Sequence, residues 1–187
     1  MLIVSRLRFL LLVFAVTVTS QRAAEAREFP ADWYVGTEAQ QSAYAALEGK
    51  PHPELDLSDW RNSELSAGDL QGKVMLIDFW ATWCAPCIAD IPKKNALHEQ
   101  YADQDFVFLG ICGSPHGQDK YDQIIDRHGL TYPSARDASH RTVEAWGVAF
   151  MPTYALIDRN GVVRALGLHP DRIEDAVKSI LEEQPAE

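Results

Sequence analysis

The stretch Val74-Met75-Leu76-Ile77-Asp78-Phe79-Trp80-Ala81-Thr82-Trp83-Cys84-Ala85-Pro86-Cys87 decides how this chain is read. Its first seven residues are apolar except for Asp78, and so continuous a run predicts a strand buried on both faces. A helix is expected directly after it, over residues 85–101, bent at Pro92 because proline removes one backbone hydrogen bond. Cys84 and Cys87 therefore stand at a strand-to-helix junction. A disulfide between them closes a very small ring, which is easily reduced. A thiolate at the first position faces the free N–H groups and positive dipole end of the helix, which keeps it reactive at neutral pH.

Outward from this stretch, strands alternate with helices. A short helix is expected over 38–47, an edge strand over 54–57, and a loop with a helical turn over 59–70. Residues 106–111 read as a second apolar strand, 113–117 as a loop, and 118–128 as a helix ended by Gly129. A short extended piece at 132–135 precedes a helix at 138–146. Strands at 153–157 and 162–168 are joined by the turn Asp158-Arg159-Asn160-Gly161, and an amphipathic helix at 171–182 closes the chain. This order gives an α/β fold: a mixed central sheet covered by helices, with Cys84 at the carboxyl end of a strand, where such sheets bind ligands.

The first 26 residues read as an export signal: Arg6 and Arg8, an apolar run over 9–18, and Ala24-Glu25-Ala26 as a cleavage site. The run is short for a bilayer core of about 30 Å, which needs about 20 residues. Retained, the segment would act as a membrane anchor; cleaved, it leaves residues 27–187, a 27–50 extension followed by one domain over 51–187. The formal charge is −10, and removing three arginines and one glutamate with the signal takes it to −12. That balance, without a basic cluster, argues against nucleic acid or anionic lipid as the main partner.

Asp78-Phe79-Trp80-Ala81-Thr82-Trp83-Cys84-Ala85-Pro86-Cys87 resembles a thioredoxin-fold active site, and Met151-Pro152-Thr153 resembles the cis-proline loop that such proteins place opposite the cysteines. The segment 118–135 resembles the extra helix and strand of the exported TlpA-type thioredoxin-like reductases. The resemblance implies a thiol-disulfide oxidoreductase in which Cys84 attacks, Cys87 resolves, Asp78 moves a proton to or from Cys87, and Pro152 shapes the substrate loop. Trp83, Ala85, Pro86, Phe150, Met151 and Thr153 would form the substrate groove, with Trp80 and Trp83 shielding the site. Chemistry supports the division of labour: exchange needs a thiolate attacker, met by an exposed Cys84 over a deeper Cys87, and a desolvated carboxylate has its pKa raised toward a useful range.

Four features depart from the family pattern. The 106–111 strand carries no lysine, so the basic partner of the buried acid is expected to be missing. Phe150 stands where many relatives have glycine, adding apolar bulk beside the groove. Thr153 stands where dedicated cytochrome c maturation reductases have glutamate. Cys112, an unpaired third cysteine, falls on the active-site side of the sheet and is either a small buried hydrophobe or a third redox thiol.

Other chemistries fit less well. Zinc would need two ligands beyond the Cys-X-X-Cys pair, and His116 and His169 are isolated; Ile88 after Cys87 breaks a c-type haem motif. A peroxidatic pattern ending at Cys84 would put threonine at Ala81 and proline at Ile77. A non-catalytic or copper-handling binding module is the remaining alternative. No metal, nicotinamide or flavin site is expected, so the electron source would be a membrane-bound thiol reductase, the substrates protein disulfides, and the chain a monomer in the periplasm or an equivalent extracytoplasmic space.

Overall fold

The apolar run 74–80 forms the central strand of a six-stranded mixed sheet in the computed structural model, which describes residues 27–183. The expected export segment lies outside the described residues. In chain order the elements are Glu38–Ala45 (α1), Ser58–Arg61 (β1), Ala67–Leu70 (α2), Val74–Trp80 (β2), Ala85–Ala89 (α3), Ile91–Gln100 (α4), Phe106–Cys112 (β3), Tyr121–His128 (α5), Ser134–Arg136 (β4), Arg141–Ala145 (α6), Thr153–Ile157 (β5), Val163–Leu166 (β6) and Ile173–Glu182 (α7). The sheet order is β1-β4-β3-β2-β5-β6, with β2, β3 and β4 parallel and the rest antiparallel to their neighbours. The α/β architecture expected from the sequence is the one observed.

Strand residues alternate between faces, so β2 divides its side chains between two cores. Leu76 and Trp80 join the apolar residues of α4, α5 and α7 on one face. Met75, Ile77 and Phe79 join Tyr44 of α1 and Trp146 on the other. Asp78 has the parity of Leu76 and Trp80 and therefore points to the α4 face.

Several elements differ from the sequence reading. The expected edge strand at 54–57 is irregular, and pairing begins only at β1; Leu55 and Leu57 instead rest against the second core. The ladder partner, β4, is three residues long, and it meets Ser58 and Arg61. The single bent helix at 85–101 is two helices meeting at Asp90, whose ψ of −1° leaves the helical range. Pro92, without an N–H, cannot give the bond that would have carried the first helix through that point. The helices expected at 118–128, 138–146 and 171–182 are present in shorter form, the first and last entered through 3₁₀ turns at Gln118–Lys120 and Pro170–Arg172.

The 27–50 segment packs along β6. Its backbone bridges Tyr34 to Leu168, Arg27 pairs with Glu48 at 2.7 Å, and Arg164 of β6 binds Glu28. This covers what would otherwise be a free sheet edge. No helix among the described residues is long and apolar enough to cross a membrane.

Candidate active site

Beyond Trp80, β2 passes through 81–83 into α3, and Cys84 is the residue that caps that helix. Its backbone is extended (φ −77°, ψ 96°), and its sulfur accepts the Cys87 N–H at 3.3 Å. Cys84 and Cys87 form a disulfide, with Cα atoms 5.3 Å apart. Pro86 sits in the first turn of α3, where its missing N–H would have had no helical partner. Cys87 is buried, as expected. Cys84 is not the exposed thiol the sequence suggested: it is only 3% exposed, because its side chain turns inward to bond Cys87 and joins the first core.

Trp80 and Trp83 part company. Trp80 is fully buried against Tyr121, whereas Trp83 is 62% exposed and donates its ring N–H to Ser114 Oγ at 2.9 Å. Trp83 is thus a rim feature of the site, not a cover over it. Thr82 Oγ1 donates to the Gly117 carbonyl at 2.7 Å, so the loop after β3 is fastened to the cysteine loop at two points. Gly117 has φ +75°, and a Cβ there would lie 2.6 Å from Thr82 Oγ1, so glycine is required on both counts.

The Met151–Pro152 peptide bond is cis. Thr153, next in line, stands opposite Phe79 in the β2–β5 ladder, which brings Pro152 alongside the end of β2 that leads to Cys84. Met151 packs against the core containing both cysteines. The other two members of the expected groove are placed differently. Thr153 is fully buried and donates its hydroxyl to the Phe150 carbonyl at 2.7 Å, bracing the turn. Phe150 is half-buried and packs against the second core, its ring 6.3 Å from that of Tyr44. The 27–50 segment, through Tyr44 and Gly36, supplies the surface on which one side of the Phe150 ring rests.

Asp78 is completely buried on the α4 face, and the expected absence of a basic partner is overturned. Lys94 of α4, 4% exposed, reaches Asp78 Oδ2 with its Nζ at 2.5 Å. The strand β3 indeed has no lysine; the charge comes from a helix instead. Burial pushes the Asp78 carboxyl above the ordinary carboxylate range, and the Lys94 ammonium pulls it part of the way back. Tyr132 and Tyr154 lie near the same carboxyl. A pocket of about 160 Å³ between α4 and the 170–174 segment is lined by Lys94, Tyr154 and Asp90, so the outer side of the ion pair approaches solvent.

Lys94 was legible in principle. Ile91, Lys94 and Leu97 recur at a spacing of three on the buried face of α4, and a lysine in that stripe needs a buried anion. Ser114, Gly117 and Tyr132 carry no comparable signal, because only the chain's return brings them to the site.

Cys112 ends β3 beside Trp80 and is completely buried. Burial raises its thiol to about 12, which leaves almost no thiolate at neutral pH. Among the described residues there is no group of three or more His, Cys, Asp or Glu that could hold a metal ion.

The redoxin family profile matches residues 47–183. Thiol-disulfide oxidoreductase ResA of Geobacillus thermodenitrificans is 34% identical over 123 residues, which are 65% of this chain and 70% of that protein. ResA of Oceanobacillus iheyensis is 31% identical over 127 residues, 65% of each chain. Among solved structures, a thiol:disulfide interchange protein DsbE from Chlorobium tepidum superposes with a TM-score of 0.61 at 26% identity, covering 71% of this chain and 93% of that one. With a Cys84–Cys87 disulfide at the strand-to-helix junction of a thioredoxin-like sheet, the chain belongs to the redoxin family and is a thiol-disulfide oxidoreductase.

Proposed function

We propose that this oxidoreductase works as a reductase of disulfides in exported proteins, with Cys84 as nucleophile, Cys87 as resolving thiol, Asp78 as proton relay and Pro152 shaping the loop that meets the client. The observation that carries the reading is the buried Asp78–Lys94 pair, held on the face of β2 that also packs Cys87. Buried ion pairs are costly to assemble and are weak evidence for stability alone. One held on the same face of the sheet as a resolving thiol has a chemical use.

In the reduced protein the Cys84 thiolate attacks one sulfur of the client disulfide. The client S–S bond breaks, one client thiolate leaves, and Cys84 is held in a mixed disulfide. The Asp78 carboxylate takes the proton from Cys87 Sγ. The Cys87 thiolate then attacks Cys84 Sγ, closing the Cys84–Cys87 disulfide and expelling the second client sulfur as a thiolate, which takes up the proton that Asp78 received from Cys87 and leaves as a thiol. Two electrons have passed from the dithiol to the client. Burial raises the Asp78 carboxyl and the Lys94 ammonium draws it part of the way back, which favours a carboxylate able both to take a proton and to return it.

The export pattern in residues 1–26 supports an extracytoplasmic setting, periplasmic or equivalent, with the segment either cleaved or retained as an anchor. There, a membrane-bound thiol reductase would return the disulfide to the dithiol, and the protein would act as a monomer. Reduction of insulin disulfides tests the activity: the wild-type dithiol should catalyse it and Cys84→Ser should fall to the uncatalysed rate. Equal rates in the two proteins would contradict the reading.

A further inference from the structure

Gly110 faces Asp78 across the parallel β2–β3 ladder. Its backbone does not demand glycine, since its φ is not positive. Space does: a Cβ at Gly110 would lie 2.9 Å from Tyr132 Cε2, 3.1 Å from Ser134 Oγ and 3.3 Å from Trp80 Nε1. The missing side chain lets the Tyr132 ring cross β3 toward Asp78, tilted at 46° against Phe108 with ring centroids 4.4 Å apart. Tyr132 comes from the α5–β4 unit and is completely buried.

Lys94 holds only one oxygen of Asp78. The other, Oδ1, is buried without a partner, and so is the Tyr132 hydroxyl. The two groups lie close enough to act on each other's charge, although in this disulfide form the pair falls short of full hydrogen-bond geometry. Phenylalanine would fill the same space and bury no hydroxyl. A tyrosine at this place, near a carboxylate with one unpartnered oxygen, is better explained by that oxygen than by packing.

We propose that Tyr132 is a positioning residue for the buried acid: its hydroxyl donates to Asp78 Oδ1 when the carboxylate is charged, so that the α5–β4 unit grips the oxygen that Lys94 leaves free. The proposal deepens the assignment of Asp78 as proton relay and rests on it. A carboxylate oxygen accepts more than one bond, so Asp78 can take the Cys87 proton with both grips in place. The other charged or titratable groups near Asp78 are Lys94 of α4, Asp90 at the α3–α4 junction and Tyr154 of β5, with Cys84 and Cys87 in the same core; Tyr121 of α5 lies near Tyr132.

The test follows Asp78 itself, by its carboxyl infrared or carbon-13 signal in the disulfide form, assigned by its loss in Asp78→Asn. Removing the donor in Tyr132→Phe should move the Asp78 midpoint upward by roughly one pH unit, the scale of one hydrogen bond to a charged group. Tyr101→Phe, which removes a hydroxyl far from Asp78, should leave the midpoint in place. An identical curve in wild type and Tyr132→Phe, sigmoidal or flat, overturns the proposal. Insulin reduction separates the two levels: a wild type without activity removes the reductase reading while the titration still decides Tyr132, and an active wild type with an unmoved titration removes Tyr132 alone.

Discussion

On one face of β2, Met75, Ile77 and Phe79 meet a core of apolar side chains and aromatic rings; on the other, Leu76 and Trp80 share a core with a carboxylate, an ammonium and three cysteines. Both faces are sealed from solvent to the same degree, since every residue of the strand is buried. Burial therefore does not distinguish them. The second face earns its polar groups through chemistry, at a cost in stability that the first face offsets.

If the apolar face carries the stability, damage there should be large and chemically silent. Trp146 is fully buried in the second core and packs 5.6 Å from the Phe79 ring. Trp146→Ala should cost about 4 kcal/mol in denaturant unfolding, from lost burial and the cavity left behind. The reduction potential of Cys84–Cys87 should stay at its wild-type value. A loss of stability accompanied by a moved potential would show that the two faces are not independent.

Damage on the charged face should instead depend on pH. Because burial holds the native Asp78 carboxyl above its unfolded value, the native state keeps a proton that the unfolded chain has released. The stability contributed by this group is complete below the ordinary carboxylate range and is lost as pH rises through the raised native value. Lys94 limits that loss. Lys94→Met should therefore destabilise the protein by about 3 kcal/mol near pH 8, where Asp78 must carry an unpaired buried charge. The penalty should shrink on acidification as Asp78 takes up its proton, and Lys94→Met combined with Asp78→Asn should recover most of it. A penalty equal at pH 5 and pH 8 would mean that Lys94 matters only as packing.

The smallest effect is expected at Cys112, which sits on the charged face but behaves as a small hydrophobe. Cys112→Ala should cost about 1 kcal/mol and leave the reduction potential unchanged. A changed potential would give that thiol a part in the redox chemistry.

The sequence made the fold legible because its signals there are local. A continuous apolar run, a Cys-X-X-Cys after it and alternating strand and helix patterns each lie within a few residues. Asp78 was legible for the same reason, as a lone carboxylate in a buried strand. Its partners were less so: Lys94, 16 residues on, is marked only by its place in the buried stripe of α4, and Tyr132, from another element, is selected by tertiary packing alone. The same limit explains Phe150 and the edge strand. Which core an aromatic ring enters, and where a short partner strand begins pairing, depend on surfaces that distant segments supply. The burial of Cys84 follows from its bond to Cys87, which spacing makes feasible without saying where the sulfurs point.

The most direct test of the central claim, that Cys84 and Cys87 deliver electrons to client disulfides, is the equilibrium of the pair against a glutathione redox buffer. The reductase reading predicts a potential near the thioredoxin value of about −270 mV. A potential near roughly −120 mV, that of a strong oxidant, would contradict it.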